Sequence, residues 1–209
     1  MAASLGYIHI DTGAMYRAVT WLALEKKVPF TDRQALGRLA RQADIRFSRG
    51  AGGRQLTWCQ GQDVTEVIRT PRINNSVSGI AAVPEVRAAL VEQQRRMAAC
   101  QDVVMDGRDI GTVVLPRAEC KIFLTASVEE RARRRLEELT AAGQEISLEK
   151  LAEEIALRDY QDSHRSVGPL RQAEDAVLLD TTGLSFQEVV DHIVGLARRC
   201  RKTGRQPER

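Results

Sequence analysis

Three short apolar runs, DVVMD (102–106), KIFL (121–124) and AVLLD (176–180), alternate with stretches of helical periodicity, and this alternation sets the fold class. Runs of this kind lack the in-out alternation of a half-solvated strand and read as strands buried on both faces. Helices between them return the chain so that the next strand runs in the same direction. The expected fold is α/β, a mostly parallel sheet flanked by helices.

A fourth strand, GYIHI (6–10), runs into Asp11-Thr12-Gly13 and then into a helix through about Lys27, with Met15, Val19 and Leu22 at helical spacing. Residues 31–43 read as a second helix. IRF and QLTWC, within 45–69, flank Gly50-Ala51-Gly52-Gly53 and predict a hairpin. Pro84 suits the first turn of a helix to about Ala99 that buries Val86, Leu90 and Met97. Ser127 with Glu130, and Ser185 with Glu188, have capping-box spacing. The first box leads into the Arg131–Arg135 run, the second into a helix with Val189, Ile193 and Leu196 on its apolar face. A charged helix is expected from about 147 to 162. With no internal repeat and 43% apolar residues, 1–209 is expected to be a single domain.

Arginine outnumbers lysine 26 to 5. Its rigid fork matches carboxylates and phosphates two bonds at a time. A GC-rich genome produces the same excess, so arginines carry meaning by position. Cys59, Cys100, Cys120 and Cys200 form no C-x-x-C, which speaks against zinc or a disulfide framework and fits a reducing cytoplasm. His9, His164 and His192 make no H-E-x-x-H. No apolar stretch reaches about 18 residues and no charged-then-apolar leader is visible, so a cytoplasmic protein without membrane contact is expected. A nucleic-acid partner is not expected either: the Arg131–Arg135 run includes Ala132 and meets Glu137 and Glu138, and aromatics for stacking are only 4%.

Ligands of open α/β sheets bind beyond the carboxyl ends of the strands. Two polar clusters lie at such ends, D-T-G-A-M-Y-R (11–17) and D-G-R-D-I-G-T (106–112), each pairing a glycine with an arginine suited to an anion. Either alone reads equally as a turn with a capping Asp and a surface ion pair. Arg158, Asp162 and Arg165, spaced by four and three, share one face if their helix extends that far. They make either a weak surface salt bridge or an Arg-bearing flap that closes over phosphates.

Five segments in order, IDTGAMYRA, NNSVSGIAAVPEVR, DGRDIGTVVLPRAECKIFLTAS, RDYQDSHRSVGPL and LLDTTGLSFQEVV, resemble bacterial cytidylate kinase (CMP/dCMP kinase) from residue 7 to about residue 197. The resemblance implies a P-loop nucleoside monophosphate kinase-like sheet, a CMP-binding insert at 31–100 and an Arg-rich lid at about 130–168. It implies transfer of the ATP γ-phosphate to CMP or dCMP by a monomer, with Mg²⁺ accompanying ATP. Thr12 and Arg17 then line the CMP side, with Arg17 on the phosphate, and Ser78 and Arg87 contact cytosine. Asp109 accepts the exocyclic amine, Arg108 and Arg165 bind phosphate, and Arg158 with Asp162 forms the lid pair. Arg108, Arg158 and Arg165 are the implied catalytic charges. The family also implies a strand leading into G-x-x-x-x-G-K-[ST], which these residues do not contain. The expectation is therefore an N-terminally truncated chain, begun upstream of Met1, that lacks the first, central strand and the P-loop. Three readings of such a chain stand side by side: a start placed too late in a working enzyme, a truncated product that is inactive, or a non-catalytic CMP-binding remnant.

Overall fold

The computed structural model describes residues 1–141 and 143–203, the side chains of Lys202 and Thr203 excepted. After a helical turn, α1 (Ala2–Leu5), the chain forms two compact units, one from residues 6–110 and one from residue 111 onwards.

The first unit contains β1 (Ile8–Asp11), α2 (Thr12–Glu25), α3 (Arg33–Gln42), β2 (Ile45–Arg49), β3 (Gln55–Cys59), β4 (Gln62–Asp63), α4 (Pro71–Ala81), α5 (Pro84–Ala99) and β5 (Val103–Asp106). β1 and β5 pair in parallel from Ile8 opposite Val103 to Asp11 opposite Asp106. Asp11 ends the strand and starts the helix, because its Oδ1 accepts the Ala14 N–H at 2.8 Å. α2 buries Met15, Val19 and Leu22 as its spacing predicts, and also Ala14, Ala18, Trp21 and Ala23, so it is a central helix and not a one-faced cover. It stops at Glu25, earlier than expected, where Lys27 turns at φ 53°.

Asp32 caps α3, whose Leu36 and Ala40 are fully buried. At Gly37 an added Cβ would lie 2.6 Å from Glu85 Cβ, so this glycine permits the close approach of α3 to α5. Pro84 occupies the first turn of α5, and Val86 and Leu90 are at 0% exposure while Met97 packs at the core margin. The expected hairpin is present as antiparallel β2–β3 and carries a third strand, β4. α4 was not anticipated. Its Asn, Ser and Gly residues are weak helix formers, and burial of Ile73, Val77 and Ile80 stabilises it where propensity does not.

The second unit contains β6 (Ile122–Thr125), α6 (Val128–Ala141), α7 (Leu148–His164), β7 (Val177–Asp180) and α8 (Phe186–Thr203). A π turn at Ile110–Val114 leads into it. β6 and β7 are parallel, Ile122 opposite Val177 through Thr125 opposite Asp180. Ser127 Oγ accepts from Glu130 N at 3.1 Å, and Ser185 and Glu188 bond in both directions, as capping-box spacing requires. α7 has a cap of its own in Ser147, which accepts from Lys150 N at 3.2 Å.

The parallel strands thus form two separate pairs among the described residues. Their burial corrects the sequence reading. Leu124 is 52% and Leu178 57% exposed, because a strand in a two-stranded pair gains cover from fewer neighbours than one inside a wide sheet.

Candidate functional site

In the first unit the carboxyl ends of β1 and β5 lie side by side, so their polar clusters meet. Thr12 is 3% exposed and its Oγ1 donates to the Asp106 carbonyl at 2.6 Å. Any Cβ on Gly107 would collide with that hydroxyl and come within 2.8 Å of Ile110 Cδ1. The Asp106–Asp109 turn is therefore seated on Thr12 and requires glycine at its second position.

Asp109, on that turn, is buried and pairs with Arg87 of α5. The Arg87 guanidinium also donates to the Ala81 carbonyl at 3.3 Å and lies 5.5 Å from the centroid of the Tyr16 ring. It is thereby held by a carboxylate, a helix C-terminal carbonyl and an aromatic face. Arg17, half-buried one turn into α2, folds back so that its Nη1 would lie 3.2 Å from a Cβ on Gly13. Ser78 is half-buried on α4, three residues before Ala81, and Arg108 is exposed between Gly107 and Asp109.

Residues that the sequence reading did not single out also converge here. Arg69 reaches Asp11 Oδ2 at 3.5 Å, and His9 Nε2 lies 2.6 Å from Asp106 Oδ1. Tyr16 lies within IDTGAMYRA, one residue before Arg17, so its place in the motif is a signal of its role. Arg69 and His9 carried no local signal, because their partners are 58 and 97 residues away.

In the second unit Arg158, Asp162 and Arg165 come together, but not along one helical face. α7 ends at His164, and Arg165 is extended at φ −65°, ψ 143°. Arg165 instead turns back, its Nη1 3.5 Å from Asp162 Oδ1 and its Nε donating to the Gly168 carbonyl at 2.5 Å. Arg158 Nε is 3.9 Å from Asp162 Oδ2, and Leu170 N donates to the Asp162 carbonyl at 2.8 Å. Asp162 is thus the hub of the cluster through both its side chain and its backbone. Arg131 of α6 adds a tie to Asp159 of α7 at 2.7 Å.

Among the described residues no group of three His, Cys, Asp or Glu side chains could hold a metal ion, and no helix is long and apolar enough to cross a membrane.

The family model for cytidylate kinase matches residues 1–199. The chain belongs to the cytidylate kinase family. Cytidylate kinases of Streptococcus pneumoniae strain 70585 and strain Hungary19A-6 are each 54% identical to it over 193 residues, 92% of this chain and 86% of theirs. Membership in the cytidylate kinase family makes the chain a nucleotide-binding transferase of the kinase class.

Proposed function

We propose that the chain phosphorylates CMP and dCMP, taking the γ-phosphate of ATP, and that the cluster around Thr12, Arg17, Arg87 and Asp109 binds the acceptor nucleotide. The observation that carries this reading is the buried Asp109 carboxylate held by Arg87 at the end of β5. Cytosine presents an exocyclic amine donor where uracil presents a carbonyl acceptor, so a fixed carboxylate favours cytosine. Ser78 and Arg87 complete the base contacts, and Arg17 and Arg108 take the phosphate.

Phosphoryl transfer demands little covalent chemistry of the protein. It demands alignment, neutralisation of charge spread over the transferring oxygens, and exclusion of water. Arg108, Arg158 and Arg165 supply the positive charge in this reading, and Asp162 holds Arg158 and Arg165 in a fixed relation to each other. Mg²⁺ supplies further neutralisation on the ATP phosphates. The assigned residues belong to the acceptor side of the reaction.

Calorimetry with CMP, dCMP, UMP and AMP on the 209-residue chain, followed by a coupled assay of ADP release with ATP, tests this. Cytosine nucleotides are expected to bind best and to be phosphorylated. Preference for UMP or AMP overturns the substrate assignment, and CMP binding without turnover overturns the catalytic one.

A further inference from the structure

The geometry points to His9 as a positioning residue of this site. In its imidazolium form it clamps the Asp106 carboxylate and ties the hairpin to the Asp106–Asp109 turn through Gln55, so that the grip on a nucleotide phosphate loosens when the ring loses its proton. This role rests on the reading of the turn as part of the acceptor site.

The ring stands between two oxygens. Nε2 meets Asp106 Oδ1 at 2.6 Å, and Nδ1 meets Gln55 Oε1. The Gln55 amide nitrogen donates to the His9 carbonyl at 3.4 Å, which directs its oxygen to the ring. A neutral imidazole has one N–H to donate, so two acceptor oxygens are satisfied together only by the doubly protonated ring. The charged and polar groups facing it are Asp106 from β5, Asp11 from its own strand and Gln55 from β3. The Asp106 hydrogen bond raises the His9 pKa above its ordinary value, opposed by partial burial and helped further by the charges of Asp106 and Asp11.

Asp106 is where this affects the nucleotide. Its carbonyl receives Thr12 Oγ1, its side chain receives His9, and the next three residues are Gly107, Arg108 and Asp109. Asp11 and Asp106 are register partners across the parallel ladder. Asp11 is offset by Arg69 and by the N-terminus of α2, so once His9 is neutral it is the Asp106 carboxylate that opposes an incoming phosphate with one fewer positive charge beside it. Because the pKa is raised on folding, the pair's support is complete below the unfolded value near 6.5 and is lost as pH rises through the folded one.

The test compares wild type, His9→Gln and His9→Lys for CMP affinity by calorimetry at pH 6 and pH 9, with cytidine as the phosphate-free probe. His9→Gln is expected to weaken CMP about three- to tenfold at pH 6, the scale of one partly screened charge, and to match wild type at pH 9. His9→Lys should keep CMP affinity at both pH values, and cytidine should lose less affinity than CMP between wild type and His9→Gln. The phosphate of CMP titrates equally for every variant, so the comparison between proteins isolates the ring. In parallel, the His9 ring proton followed by NMR should titrate above pH 6.5, and near or below it in Asp106→Asn. Equal CMP affinity of wild type and His9→Gln at pH 6, or an equal loss at both pH values, overturns the role of His9 alone. Failure of the wild type to bind CMP at either pH overturns the nucleotide reading, and this role with it.

Discussion

Arg87 and Asp109, 22 residues apart in the chain, form an ion pair whose side chains are only 3% and 6% exposed. Two charges removed from water this far are tolerated only as partners, and removing one leaves the other uncompensated. Arg87→Met or Asp109→Asn is expected to destabilise the protein by about 3–5 kcal/mol, measured by urea unfolding. Replacing both, Arg87→Met with Asp109→Leu, should recover most of that stability and none of the CMP affinity. Recovered affinity in the double variant contradicts a role for the pair in base recognition.

Asp162 offers the opposite contrast between stability and function. Its links to Arg158 and Arg165 are long, at 3.9 and 3.5 Å, and an asparagine keeps the shape of the side chain and one oxygen that can still accept from them. Asp162→Asn should leave the melting temperature nearly unchanged, while turnover falls about 100-fold because the arginines lose their fixed relation. A parallel loss of both quantities indicates a purely structural cluster.

Gln94 of α5 is 1% exposed, and neither its Nε2 nor its Oε1 has a hydrogen-bond partner among the described residues. An unsatisfied buried amide opposes folding by about 1–3 kcal/mol. Gln94→Met keeps the side-chain length without the amide, and is expected to raise stability by about 1 kcal/mol in thermal unfolding. A destabilised variant shows that the amide is satisfied in solution.

The four thiols should differ sharply in reactivity. Burial pushes the Cys59 thiol up to about 11, and burial with a hydrogen bond to Cys200 pushes Cys120 up to about 12. Thiolate is the reactive form, so both are expected to resist alkylation at pH 8 in the native protein, while exposed Cys100 reacts first. Peptide mass mapping after brief iodoacetamide treatment checks the order, and early labelling of Cys59 contradicts the buried hairpin core.

Gly107 needs its missing side chain, since a Cβ there meets Thr12 Oγ1 and Ile110. Gly107→Ala is expected to displace the turn and weaken CMP binding at least tenfold, with Thr12→Val, which leaves the Asp106 carbonyl without its donor, weakening it less. Calorimetry on the two variants gives the order.

What the letters determined by themselves is what depends on near neighbours. The caps at Ser127 and Ser185, the burial of Met15, Val19 and Leu22 on α2 and of Val86 and Leu90 on α5, and the β2–β3 hairpin follow from residues within a few positions of one another and are found where spacing placed them. The glycine–arginine motifs at strand ends were readable for the same reason. Tertiary structure alone decided the rest. α4 exists because Ile73, Val77 and Ile80 find a core to enter, and Arg165 leaves the helix to return to Asp162. The pairing of Arg87 with Asp109 and of His9 with Asp106 was decided there too. Partners 22 and 97 residues apart leave no periodic trace in sequence, because only the folding of β1 against β5 and the packing of α5 against α2, α3 and α4 bring their charges within reach.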